Sequence, residues 1–156
     1  MKKEELYLKT MFCCMACDGD IAREEIDSVK DIATQIPVLA GMDIETVLNS
    51  YVDAINKNGA SFLRRYLKEL SEEDLISKEE LQIIDLAIRM IEADNRIEYA
   101  EVKFFKKIRS RLSVSDEQIL AKHPDKEEFL LPDIDVFEEP VWDNNITFAN
   151  IHLANE

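Results

Sequence analysis

Three glycines in a chain of 156 residues leave little from which to build a phosphate-cradling loop, and no such loop occurs. The Gly-x-Ser-x-Gly elbow of serine hydrolases and the His-Glu-x-x-His pair of zinc proteases are also missing, and the two histidines, His123 and His152, have no ligand partner at a telling spacing. No catalytic residue is assigned, and a non-enzymatic protein is expected. Basic residues are scarce, 19 against 33 acidic ones for a net charge of -14, which argues against nucleic acid or an anionic membrane as direct partner. Cations or the basic surface of a protein partner fit better. No stretch approaches the roughly 20 apolar residues that span a bilayer, so direct membrane insertion is not expected. Met1-Lys2-Lys3 runs into Glu4-Glu5 without the apolar core of a secretory leader. Cys13, Cys14 and Cys17 crowd into five positions of one predicted helix, as reduced thiols do and disulfide frameworks do not. Cys14 and Cys17 have CxxC spacing, but zinc would need two further ligands and no second CxxC exists, so core packing is the expected role. A soluble cytoplasmic protein follows.

What the chain does have is helix-period apolar patterning. Leu8, Met11, Phe12, Met15 and Ala16 form one stripe, ended by Gly19. Ile26, Val29, Ile32 and Ile36 form a second, closed by Pro37. Asp43 is the expected N-cap of a third helix carrying Ile44, Val47, Leu48, Tyr51, Val52 and Ile55, which stops at Asn58-Gly59. A fourth places Phe62, Leu63, Tyr66, Leu67 and Leu70 inward. Ser77-Lys78-Glu79-Glu80 reads as a capping box opening a central fifth helix with Leu81, Ile84, Ile88 and Ile91. A sixth holds Val102, Phe105, Ile108 and Leu112 inward, and a short seventh runs from Ser115 to Lys122.

The chain also repeats itself. Cys17-Asp18-Gly19-Asp20-Ile21-Ala22-Arg23-Glu24-Glu25 returns, degenerate, as Ala93-Asp94-Asn95-Arg96-Ile97-Glu98-Tyr99-Ala100-Glu101. A shift of 76 positions also pairs Leu8 with Ile84, Phe12 with Ile88 and Ile32 with Ile108. Two helix-turn-helix hairpins related by a pseudo-twofold axis are implied, inside an all-α, compact bundle of about seven helices. Asp-Gly-x-Ile-x-x-x-Glu matches the second half of a calcium loop, but the positions of the first ligands hold Cys14 and Ala16 in one copy and Met90 and Glu92 in the other. Each copy alone supplies too few of the six to eight oxygens that calcium takes. Together the two copies could pool carboxylates, so Asp18, Glu25, Asp94 and Glu101 are the candidate ligands of a divalent cation, with Asp20 and Glu24 beside them. The simpler reading is that the Asp serves the turn and the Glu stands in the first turn of the next helix, where the dipole favours it. No cofactor is required by either.

Beyond Lys122 the character changes. Residues 122–156 hold 2 basic and 9 acidic side chains, half of the whole net charge, along with Trp142, three of the four prolines and many large apolar groups. Residues 1–122 are therefore read as the helical domain and 123–156 as an extended, acidic, aromatic arm that packs on the domain or on a partner. The basic outer face of the sixth helix, with Lys103, Lys106 and Lys107, is its expected seat.

With its two hairpins, Ala16-Cys17-Asp18-Gly19-Asp20-Ile21 through Glu25 and Glu92-Ala93-Asp94-Asn95-Arg96-Ile97 through Glu101, which follow an Ala-Asp-Gly-x-Ile-x-x-x-Glu pattern, the stretch from about Tyr7 to Leu112 resembles the bacterial TerB-like family, named for tellurite resistance. The resemblance implies an all-helical fold, association with metal and chemical stress and with membrane-linked multiprotein complexes, no enzymatic activity, and cation binding at the acidic motif positions Asp18, Glu25, Asp94 and Glu101. Ala22 and Glu98 stand where relatives start the second helix with Asp-Pro, and Asn95 replaces the second glycine.

Overall fold

Two glycines punctuate the first half of the chain at the points where only a left-handed backbone lets it reverse: Gly19 at φ 89° and Gly59 at φ 63°. A computed structural model describes residues 2–93, 99–130 and 147–153. Helix α1 (Lys3–Ala16) ends where the amide of Gly19 bonds the carbonyl of Ala16, and α2 (Arg23–Gln35) follows. Pro37 begins a single 3-10 turn (Pro37–Leu39) rather than a loop. Helix α3 (Ile44–Asn58) starts on Asp43, whose carboxylate accepts from the Thr46 amide at 3.3 Å, and ends at Gly59. Then come α4 (Ser61–Glu72), α5 (Ser77–Glu92), α6 (Tyr99–Ser110), α7 (Asp116–Lys122) and the one-turn α8 (Glu127–Leu130). All described elements are helical, and no strand occurs among the described residues. The expected all-α bundle of about seven helices is what forms, with α8 as an eighth single turn.

Helices α1 and α5 form the hub, α1 also touching α6 and α5 also touching α2. That reciprocal crossing is the arrangement a pseudo-twofold relation between the two hairpins requires. Helix α1 differs from its expected one-sided stripe. Ten of its residues are buried, including Thr10 and Cys13 on the flank opposite the stripe, because α3, α4, α5 and α6 all pack against it. Inside, Thr10 donates to the carbonyl of Leu6 at 2.8 Å and shares a 2.6 Å hydrogen bond with the Tyr66 hydroxyl, so both buried hydroxyls are satisfied. An aromatic cluster, Phe12 with Tyr51 and Phe62 each at 5.6 to 6.0 Å between centroids, ties α1 to α3 and α4.

The capping box at α5 lies one residue earlier than the sequence reading. Ser77 is already the first helical residue, and Glu79 reaches back to the amide of Ile76 at 3.0 Å. Glu80 is released from capping and turns inward.

Candidate functional site

The first motif turn is built from its own carboxylates. Asp18 accepts from the amide of Asp20 at 3.0 Å, closing an Asx turn over Gly19. Ala22, with no side-chain acceptor, precedes α2, and Glu25 at the third helical position accepts from the Ala22 amide at 2.8 Å. Glu101 occupies the same third position of α6. Both glutamates are buried, at 4% and 3% exposure, which is rare for carboxylates that lack a structural task.

The two glutamates converge on the end of α1. Cys17 donates through its thiol to the carbonyl of Cys14 at 3.2 Å and lies 3.9 Å from the carbonyl of Ala100 at the start of α6. Burial pushes the Cys14 and Cys17 thiols well up, and the negative charges of Glu101 and Glu25 push both further. Of the four candidate ligands, Asp18, Glu25 and Glu101 therefore gather around the Cys14–Cys17 turn of helix, while Asp94 lies outside the described residues. Among the described residues no group of three or more His, Cys, Asp or Glu side chains is disposed to hold a metal ion.

The same geometry makes the CxxC pair unreactive. All three cysteines are free and at most 2% exposed. A thiol-specific reagent at pH 8 is expected to modify none of them within minutes in the folded protein and all three in denaturant, and one fast native thiol would contradict the packing. The buried Tyr66 hydroxyl is raised by burial in the same sense. Since these groups stay protonated in the fold where they ionise in the unfolded chain, stability is full below about pH 8.5, the unfolded thiol value, and falls as pH rises above it.

A second arrangement has a seat and a set of side-chain partners that the sequence reading did not name. Residues 147–153 lie against α2 and α3, while residues 131–146, the stretch of the arm on which its expected seat on the basic face of α6 depends, lie outside the described residues. Asn56 accepts from the Phe148 amide at 2.7 Å and donates to the Phe148 carbonyl at 2.9 Å. Asn49 does the same at Ile151, at 2.7 and 3.0 Å. Glu45 accepts from the Leu153 amide at 2.9 Å, and the Arg23 guanidinium donates to the His152 carbonyl at 2.6 Å. Phe148 and Ile151 are buried. Positions 45, 49 and 56 fall on one helix face, and seven residues of α3 rise about 10.5 Å. Three residues of extended chain reach about 9–11 Å. A pleated strand would turn residues three apart to opposite sides, so an extended chain with a roughly threefold period seats here, antiparallel to α3. The available signal was the spacing of Glu45, Asn49 and Asn56, polar groups at intervals of four and seven beside the apolar stripe. An open cavity of about 230 Å³ separates this segment from the first motif turn, with Asp20, Ile21 and Ile26 on one wall and Phe148 and Ile151 on the other.

No helix among the described residues is long and apolar enough to cross a membrane. No curated protein and no solved structure matches the chain. A family model described as tellurite resistance protein TerB matches residues 8–123, a range that includes both motif copies and the whole of α3 and stops short of the docked segment. With three quarters of its length inside that match, the chain belongs to the TerB family.

Proposed function

We propose that this TerB-family chain is a non-enzymatic interaction module of a cytoplasmic tellurite, metal or chemical stress response, recognising a protein partner and not nucleic acid. The observation that supports the reading is the employment of the motif carboxylates: Asp18 and Glu25 accept the backbone amides that shape the turn, which is scaffold work. With a net charge of -14, a basic partner surface is favoured and its approach is steered.

A second reading has its own support. Glu25 and Glu101 are buried and both act on the Cys14 and Cys17 thiols, and a divalent cation shared by Asp18, Glu25, Asp94 and Glu101 would draw on the negative charge gathered there. Calorimetric titration of the metal-stripped chain with calcium, magnesium, manganese and zinc separates the two. Under the interaction reading no ion gives heat above dilution. Saturable binding that is lost in Asp18→Asn and Asp94→Asn would replace it with the cation reading, and at a hundred times the Kd the ion would then add about 2.7 kcal/mol of stability.

A further inference from the structure

We infer that the groove between α3 and the first motif turn is a docking site for an extended segment of a partner protein, carrying an aromatic residue, a β-branched aliphatic residue three positions later and basic side chains between them, and that residues 147–153 occupy it in cis. The inference deepens the interaction-module reading by naming the partner's chemistry.

Its basis is how the groove holds its present occupant. Every hydrogen bond to the segment described above joins a domain side chain to the segment's main chain, three of them donated by the segment's amides, at Phe148, Ile151, His152 and Leu153. Such a ladder reads extended backbone whatever its sequence, as in other modes of peptide recognition where main-chain bonds hold and side-chain pockets select. Selection falls to the two buried side chains, Phe148 and Ile151, while Ala149, Asn150 and His152 are exposed.

Charge points to an occupant other than the arm. Asp20 lines the cavity facing the segment, Glu45 is a rung of the ladder, and Asp27 neutralises Arg23 at 3.1 Å, yet the exposed positions of the arm carry no lysine or arginine. A segment with Lys or Arg at those positions would complement the groove where the arm does not. The side chains of the ladder lie within the family match and residues 147–153 lie beyond it, so the groove is built by the domain. A tethered arm competes at an effective concentration on the order of millimolar, which makes it a placeholder that a better-matched segment displaces.

The test uses the full chain with Phe148→Ala and Ile151→Ala, checked for a cooperative melt, and a fluorescent heptapeptide of residues 147–153 followed by anisotropy. Saturable binding at least tenfold tighter than to the unaltered chain is expected, falling at least tenfold when Asn49→Ala and Asn56→Ala are added. The same peptide with Ala149→Lys and Asn150→Lys should bind several-fold tighter at low salt, with the advantage fading as salt is raised. Absence of binding, or binding indifferent to the asparagines, overturns the site. A lysine peptide no tighter than the arm peptide, together with a stable mixed dimer between altered and unaltered chains in sedimentation, assigns the groove to a second copy and overturns the partner. Should the altered chain fail to fold, the lysine peptide is added at several millimolar to the unaltered, nitrogen-15-labelled chain. The amide signals of Phe148 and Ile151 then shift if the inference holds and stay put if it does not. The metal titration judges the module reading independently, so a failed peptide experiment with silent metals removes this groove and leaves the module.

Discussion

Phe12→Ala is expected to lower stability by about 4 kcal/mol, because Phe12 is fully buried in the second half of α1 and its ring packs against those of Tyr51 and Phe62, with centroids 5.6 Å away. Three helices lose their common contact at once, and α1 cannot move in to fill the space without leaving α5. For a chain of this size the melting temperature should fall by about 12 °C. Phe12→Leu, which keeps most of the volume, should cost less than half as much. A drop of under about 1 kcal/mol for alanine in chemical denaturation would show that α1 is not the hub.

Glu80→Ala should cost about 3 kcal/mol, although Glu80 looks like an ordinary residue of a helix's first turns. Its Oε1 accepts from the amides of Ser113 at 2.9 Å and Val114 at 3.0 Å, holding the turn between α6 and α7 against α5, and the residue is only 7% exposed. Alanine leaves two amides without their acceptor, that of Val114 buried and that of Ser113 part-buried, and charged acceptors are the stronger kind. Glu80→Gln keeps an oxygen in the same place and should restore most of the loss. Equal costs for alanine and glutamine in denaturant melts would mean that the charge, and not the two hydrogen bonds, does the holding.

Glu80 also marks the boundary of what was legible in the sequence. The helices could be read because each buries a face with a 3.6-residue period, and their ends because Gly19, Asp43 and Gly59 have local reasons to stand where they do. The role of Glu80 could not, since its partners are 33 and 34 residues away and backbone amides leave no trace in a sequence. Its neighbour Glu79 took the capping position instead, an exchange that only the course of the chain before Ser77 decides. Glu25 was legible as a first-turn carboxylate. Its convergence with Glu101 at Cys14 and Cys17 depends on how the starts of α2 and α6 come to the end of α1, and no spacing within either motif encodes that. The asparagines of α3 are the extreme case. Their target is the main chain of a segment about a hundred residues later, so their spacing marks a polar row on α3 without saying which part of the chain it holds.

The pairing of seven helical residues with three extended ones has a consequence for how the arm can move. Because Asn49 and Asn56 are fixed on a rigid helix, they act as two posts a set distance apart, and the arm engages both only when an aromatic and an aliphatic side chain arrive there together. A slip of one or two residues turns the wrong side chains inward. A slip of three brings Asn145 and Phe148, or Ile151 and Ala154, to the posts, and neither is an aromatic–aliphatic pair. The arm therefore has a single register. The segment 147–153 is either seated or out of the groove, with no sliding intermediate to soften the choice.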